Sequence, residues 1–224
     1  MGNRLLKTLI MGKYTHITHE VVKDTIYAIK CVDEISYDKF TFLLDSIYED
    51  KKSGLLFDLH VHAKHKKKNP TVEASTLIWD GEDSYMQPEI DIWVEYNIDN
   101  NYKDLEYIYS ELVDVVRHEI EHITQRGFNE KMGKGINFNK KRRDQIESGE
   151  LPIYKYYLLK DEVDANIQGL WMKSKVLKKD FQIVIDRYLS QISKKWGITK
   201  EQKKIIYNKW KKRISEIGGI PKLK

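Results

Sequence analysis

The chain has 224 residues, of which 33% are charged and 41% hydrophobic, and its formal net charge is +5. This composition is too apolar for a disordered protein, and the length suits one domain with a sizeable core. No apolar run approaches the roughly 18 residues that a membrane span requires, and the one cysteine, Cys31, excludes an internal disulfide framework. The N-terminus lacks the apolar segment of a secretory signal, so we expect a cytoplasmic protein with no membrane partner.

The first half of the chain combines helical and strand patterns. Two helical periods are predicted first, over residues 18–30 and 36–48, with Thr18 as the N-cap of the first helix. Apolar and alternating segments then predict three strands, which cover residues 55–62, 71–79 and 89–98.

The second half of the chain is predicted to be helical. A long helix covers residues 104–125, and three further helices cover residues 161–177, 180–195 and 199–216. A polar and basic connection, residues 127–153, separates the long helix from the others. The order of helices, strands and helices indicates an α+β fold.

The long helix carries a metal-binding pattern. Residues 118–122 read H-E-I-E-H, which matches the HExxH motif. Residues i and i+4 lie one above the other on a helix face, so the imidazoles of His118 and His122 can bind one ion. Zinc lowers the pKa of a bound water towards about 7, and Glu119 can then act as the general base. We therefore predict a Zn²⁺ cofactor, with both histidines as ligands and Glu119 as the catalytic residue.

A catalytic zinc ion usually takes three protein ligands. No histidine follows the motif and Cys31 lies far upstream, so a downstream ligand must be Asp or Glu. Glu162 is the first candidate, because it opens a predicted helix and shares a face with the small residues Ala165 and Gly169, which permit close approach to the motif helix. Asp164 is the alternative, although it faces away from that surface.

These motifs resemble a known family. An HExxH motif followed by a helix with Glu-x-x-Ala is similar to the gluzincin type of zinc metallopeptidase. Residues 162–171, E-V-D-A-N-I-Q-G-L-W, are similar to the second motif of small, often phage-encoded metallopeptidases. The resemblance covers about residues 88–175, and ImmA/IrrE-type proteins are more distantly similar.

The resemblance implies a role for each residue of the site. His118, His122 and Glu162 would bind zinc, and Glu119 would be the catalytic base. Asn166 stands where thermolysin-type gluzincins have an Asp oriented towards a ligand histidine. From that position its amide oxygen can accept an imidazole N–H.

The resemblance also implies a zincin-like fold, in which a small, mainly antiparallel sheet packs on the active-site helix between helical N- and C-terminal parts. We expect a single domain over residues 1–224, with a catalytic core at about 54–177 and a C-terminal helical hairpin at about 180–216. In zincins an edge strand pairs with extended substrate, and Glu89–Asn97 is the strand expected to do so.

The leading prediction is a zinc metallopeptidase, in the host cytoplasm if a phage encodes it, that hydrolyses protein or peptide substrates with a zinc-bound water activated by Glu119. Two alternatives stay open: a non-catalytic zincin-like module that binds a protein or nucleic acid, and a metal-dependent amidohydrolase of a non-peptide substrate. The basic stretches 64–68 and 140–143 permit nucleic-acid contact without requiring it. The sequence indicates no particular oligomeric state.

Two further groups of residues offer polar chemistry. Three tyrosines are candidates for stabilising an oxyanion, and none is favoured over the others: Tyr154, Tyr156 and Tyr157. His60 and His62 share a strand face and His65 follows shortly, so a second metal site is an alternative to an exposed basic hairpin.

Overall fold

The structure is a computed structural model that describes residues 14–78, 87–125 and 136–223. Short 3₁₀ helices at Ile98–Asn100 and Ile153–Leu158 precede the second and fourth α-helices. The expected α+β class is confirmed, with helical parts before and after a small sheet. The main elements are α1 (Thr15–Cys31), β1 (Thr41–Asp50), β2 (Leu55–His65), β3 (Thr71–Leu77), β4 (Glu89–Tyr96), α2 (Asn101–Gln125), α3 (Ile136–Glu147), α4 (Lys160–Val176), α5 (Phe181–Trp196) and α6 (Lys200–Ile217).

The four strands form one mixed sheet in the order β1-β2-β4-β3. β1 pairs antiparallel with β2, and β3 pairs antiparallel with β4, but β2 and β4 run parallel. The sheet is therefore antiparallel except at its centre. Because β4 lies between β2 and β3, the expectation that Glu89–Asn97 is an edge strand is wrong. β3 takes that edge, and the predicted last residue of this strand, Trp79, lies outside the described residues.

The helix predicted over residues 36–48 is wrong, because Thr41–Asp50 forms strand β1. Leu44 and Tyr48 both face the core side, and a spacing of four residues satisfies the period of a strand as well as that of a helix. A β-bulge between Phe42 and Leu44 shifts the register, so the first part of the strand does not alternate cleanly. Hydrogen bonding to β2 along its length makes residues 41–50 a strand rather than a helix.

Two details of the helices differ from the sequence prediction. Thr18 lies inside α1 rather than at its N-cap, and its hydroxyl donates to the backbone carbonyl of Tyr14 at 2.7 Å. The connection of residues 127–153 contains α3, which is mostly polar and so has little of the apolar period of a packed helix. The part of that connection at 127–135 lies outside the described residues.

The C-terminal helices agree with their predicted positions. Thr199 caps α6 with a full capping box to Gln202, and Asp180 caps α5. No helix in the described ranges combines the length and apolar character that a membrane span needs. The division into a catalytic core and a C-terminal hairpin stays a prediction.

Apolar side chains are buried in two groups. The first lies between one face of the sheet and helices α1 and α2, and the second lies among α4, α5 and α6. Alternate residues of β2 and β4 supply the sheet's share of the first group: Phe57, Leu59, Val61, Ala63, Ile90, Ile92, Val94 and Tyr96. This packing fixes α2 against the inner face of the sheet.

Helices α2 and α4 approach each other closely at one point. A Cβ atom added to Gly169 of α4 would lie 2.5 Å from both the backbone oxygen and Oδ1 of Asp114 in α2. One turn further along α4, Lys173 Nζ donates to Glu111 Oε2 at 2.7 Å and to Asp114 Oδ2 at 3.2 Å. The missing side chain at Gly169 therefore sets the spacing of the two helices that carry the predicted ligands.

We expect Gly169→Ala to destabilise the protein by about 1–3 kcal/mol, because the new methyl group meets backbone and forces the helices apart. Alanine by itself favours a helix over glycine by about 1 kcal/mol, so a net loss of stability isolates the packing effect. Urea denaturation measures the change in the free energy of unfolding. Lys194→Ala, on the exposed side of α5, is the control and should change it by less than about 0.5 kcal/mol. A Gly169→Ala variant as stable as the parent would refute the close approach.

Candidate metal centre

Helix α2 brings the two histidines of the motif together. The Nε2 atoms of His118 and His122 lie 3.0 Å apart, and the ring centroids lie 4.7 Å apart. The four-residue spacing places both rings on one helix face, so both ring nitrogens are directed at the same point.

Helix α4 places Glu162 against this pair. Its carboxylate lies 3.3 Å from His122 Nε2 through Oε1 and 3.5 Å from His118 Nε2 through Oε2. Glu162 is 0% exposed, and its buried Oε2 has no hydrogen-bond partner among the residues that the structure describes. A buried carboxylate oxygen without a partner is costly, which indicates that a ligand belongs beside it.

Burial and neighbouring charge act in opposite directions on the titratable groups of the site. Burial would lower the pKa of His118, but the contact with Glu162 and the charges of Glu119 and Glu162 outweigh burial and raise that pKa to about 9. Burial would raise the pKa of Glu162, yet its contacts with His118 and His122 lower it. Glu162 is therefore ionised and able to act as a ligand.

The donor set fits a zinc ion. Tetrahedral zinc with ligand bonds of about 2.0–2.1 Å places neighbouring donor atoms about 3.3 Å apart. The two imidazole nitrogens lie 3.0 Å apart, His122 lies 3.3 Å from Glu162 Oε1 and His118 lies 3.5 Å from Glu162 Oε2, so each of these separations is close to this value. One donor atom from each of the three residues lies within 4.8 Å of the other two. Two imidazoles and one carboxylate also match the ligand types of catalytic zinc sites, which keep one position open. His118, His122 and Glu162 are the residues that would hold the ion.

An arginine that sequence reasoning missed adjoins the site. Arg143 of α3 contacts Glu162 Oε1 and donates to Asp161 Oδ2 at 2.8 Å. Asn139, one turn earlier on α3, donates to Asp161 Oδ1 at 2.8 Å. The single positive charge of Arg143 lies between two carboxylates, those of Asp161 and Glu162, and so cannot neutralise both. The site therefore keeps the negative charge that suits a divalent cation. The only sequence signal for Arg143 is its place in the basic stretch 140–143.

Glu119 is held by the edge strand of the sheet. Thr76 of β3 donates its hydroxyl to Glu119 Oε2 at 2.6 Å, and Glu119 is buried. This hydrogen bond fixes the carboxylate beside the two histidines, because a charge-assisted bond of this length is strong. Sequence reasoning missed Thr76, since nothing in the strand pattern connects it to a helix more than forty residues later.

The structure distinguishes the two candidate ligands of α4, Glu162 and Asp164, by the direction of their carboxylates. Both oxygens of Asp164 accept from Arg213 of α6, at 2.5 and 2.7 Å, so this carboxylate is directed away from the histidines. Asn166 is buried, and its amide nitrogen donates to the backbone carbonyl of Glu162 at 2.7 Å. A contact from the Asn166 amide oxygen to an imidazole stays a prediction.

Of the three candidate tyrosines, Tyr156 is the one tied to the carboxylate of Glu162. Burial raises the pKa of Tyr156, and so does the negative charge of Glu162. Arg143 lies over the same ring, with its guanidinium carbon 5.4 Å from the centroid. Tyr156 therefore adjoins the site, whereas the backbone carbonyl of Tyr157 accepts from the indole of Trp210 at 2.9 Å.

Comparison with protein-family models, with curated proteins and with solved structures found no significant match to this chain. The functional assignment therefore depends on the residues and geometry of the site.

We expect His118→Ala, His122→Ala and Glu162→Ala each to remove one equivalent of tightly bound zinc per chain, because each deletes one of three converging donors. Metal analysis after dialysis against buffered zinc measures this. Asp164→Asn is the matched control: it also neutralises an acid of α4, but one that pairs with Arg213, so it should keep the zinc. Full zinc content in either histidine variant would contradict the assignment.

Proposed function

We propose that this chain is a zinc-dependent metallopeptidase. The observation that carries the proposal is the convergence of His118, His122 and Glu162. The two imidazole nitrogens lie 3.0 Å apart, and each lies 3.3 to 3.5 Å from one oxygen of the Glu162 carboxylate, whose Oε2 has no hydrogen-bond partner among the described residues. The ligand order of two histidines on one helix and a glutamate on a later helix is that of the gluzincins, so we extend the resemblance in sequence to a zincin-like active site.

Zinc, when bound, supplies Lewis acidity and lowers the pKa of water to near neutrality. Glu119 accepts a proton from the attacking water and passes it to the leaving amine. Thr76 aims the Glu119 carboxylate for this transfer by donating to its Oε2 at 2.6 Å. We assign Tyr156, whose ring lies under the Arg143 guanidinium beside Glu162, the role of hydrogen-bond donor to the carbonyl oxygen of the scissile bond as negative charge develops on it.

The edge strand β3 is the surface on which we propose that extended substrate pairs. It replaces Glu89–Asn97, which is interior, and it is the strand that contacts Glu119. Only β4 pairs with β3 within the described chain, so the other side of β3 carries backbone groups able to form a further antiparallel or parallel ladder. A peptide held there would pass the carboxylate that moves the proton.

We expect Glu119→Gln to keep its zinc and to lower the turnover of peptide hydrolysis by about 10²–10⁴-fold, since the amide keeps the shape of the side chain but cannot accept the proton. Zinc-loaded protein is assayed on a library of quenched fluorescent peptides, with zinc content measured on the same samples. Glu121→Gln is the matched control: it lies in the same motif, but its carboxylate pairs with Arg117 at 2.7 Å. It should hydrolyse peptides at the parent rate.

Two outcomes would contradict this proposal in different ways. Equal hydrolysis by Glu119→Gln and the parent would reject the role of Glu119. No hydrolysis of any peptide by the zinc-loaded parent would favour the other readings, a binding module or an amidohydrolase of a non-peptide substrate. Steep salt dependence of nucleic-acid affinity would then identify a nucleic-acid-binding module.

We expect Thr76→Val to lower kcat by about 10–100-fold with little change in KM or zinc content, because it removes one hydrogen bond to a charged group, worth about 1.5–3 kcal/mol. Thr76→Ser keeps the hydroxyl and should restore most of the rate. Ser75→Ala, at the neighbouring position on the opposite face of β3, is the control. A Thr76→Val variant with an unchanged kcat would show that Thr76 does not position Glu119.

A further inference from the structure

A second group of ligand-type side chains lies on the outer face of the sheet, the face opposite α1 and α2. Residues of β2 and β4 that alternate with the buried ones face this side and are partly exposed. His60 of β2 lies directly opposite Asp91 of β4 in the parallel register, and Glu89 lies two residues before Asp91 on the same face. Two adjacent strands thus present imidazole and carboxylate groups in one area.

We propose that His60, Glu89 and Asp91 form a second binding site for a divalent transition-metal ion such as Zn²⁺. One donor atom from each of the three lies within 4.8 Å of the other two. His60 Nδ1 is 3.5 Å from Asp91 Oδ1, which is longer than a normal hydrogen bond and close to the separation of two donors that share an ion. This site is independent of the proposed peptidase centre.

The carboxylate of Asp91 has no hydrogen bond from any residue in the described ranges. Its Oδ1 lies between two imidazoles instead, 3.5 Å from His60 and 3.6 Å from His62 Nε2. The side chains of Asp91, His60 and His62 are only 24%, 28% and 25% exposed, so these groups are partly withdrawn from water. Asp91 would be the central ligand, and His62 would be next to it as a further donor.

The other nitrogen of His60 has the surroundings expected of a ligand imidazole. Its Nε2 lies 3.6 Å from Asp45 Oδ1 of β1, on the side of the ring away from Asp91. Metal-bound histidines commonly direct their second ring nitrogen at a carboxylate, which fixes the ring and makes it a better donor. Asp45, His60 and Asp91 follow one another across β1, β2 and β4, so a carboxylate lies near the second ring nitrogen, at a distance longer than a hydrogen bond.

The chemistry of this face selects the class of ligand. Imidazole together with carboxylates suits zinc and its neighbours, whereas Mg²⁺ and Ca²⁺ prefer sites made of oxygen alone. The surrounding side chains disfavour nucleic acid, because acidic residues outnumber basic ones on the outer face: Asp45, Glu49, Asp58, Glu73, Glu89, Asp91 and Glu95, against Lys64, Lys66 and Lys195.

The test counts zinc ions on the full chain after dialysis against buffered zinc. We expect two ions per chain in the parent, one in the His118→Ala/His122→Ala variant, and none when Asp91→Asn is added to it. His60→Gln should remove the same ion as Asp91→Asn. The matched control is Glu73→Gln, which neutralises an acid of the same face that is directed at Lys195 instead, so both ions should remain.

A second readout leaves the outer face unaltered. In the His118→Ala/His122→Ala variant, zinc should shift the NMR signals of the His60 ring, and millimolar Mg²⁺ should not reverse the shift. The proposal is overturned if Asp91→Asn and His60→Gln bind as much zinc as their parent, or if the His60 signals do not respond to zinc. A parent that binds a single zinc ion, lost on Asp91→Asn and kept on His118→Ala/His122→Ala, would reject only the centre formed by His118, His122 and Glu162, so the two assignments fail separately.

Discussion

The buried carboxylate of Glu162 is the feature on which the arrangement of the site depends. An ionised group with no exposed surface costs several kcal/mol unless opposite charge lies beside it. The compensation comes from two other helices, as imidazoles from α2 and a guanidinium from α3. Removal of either helix from α4 would take away part of this compensation. The interaction that assembles the candidate metal centre therefore also fixes the packing of three helices.

The carboxylate reaches the histidines only because α2 and α4 lie unusually close. Gly169 permits this, since any larger residue would meet the backbone of Asp114. Lys173, one turn further along, bridges Glu111 and Asp114 and so prevents the helices from separating at that end. The stability of the fold and the geometry of the site therefore both depend on the contact between Gly169 and Asp114. A substitution that moves the helices apart would alter both.

The sequence predicted the parts of the site whose geometry is local. A four-residue spacing on one helix determines how His118 and His122 face each other, and a small-residue face selects Glu162 over Asp164. Residues that reach the site from other elements were missed, because strand order and the position of α3 are set by long-range packing: Thr76 and Arg143. Tyr156 was one of three candidate tyrosines, which the sequence did not distinguish. The same limit explains β1, where the spacing of Leu44 and Tyr48 fits both periods and only pairing with β2 decides between them.

The net charge of +5 does not indicate the local charge at either of the two areas that carry metal-ligand side chains. Several basic side chains are paired with acids: Lys66 with Glu95, Arg117 with Glu121, Arg143 with Asp161, and Arg213 with Asp164. The two areas with ligand chemistry are instead locally acidic, one buried between α2 and α4 and the other on the outer face of the sheet. A positively charged chain can therefore offer sites for cations, because a local potential depends on which charges are paired and where, rather than on their total.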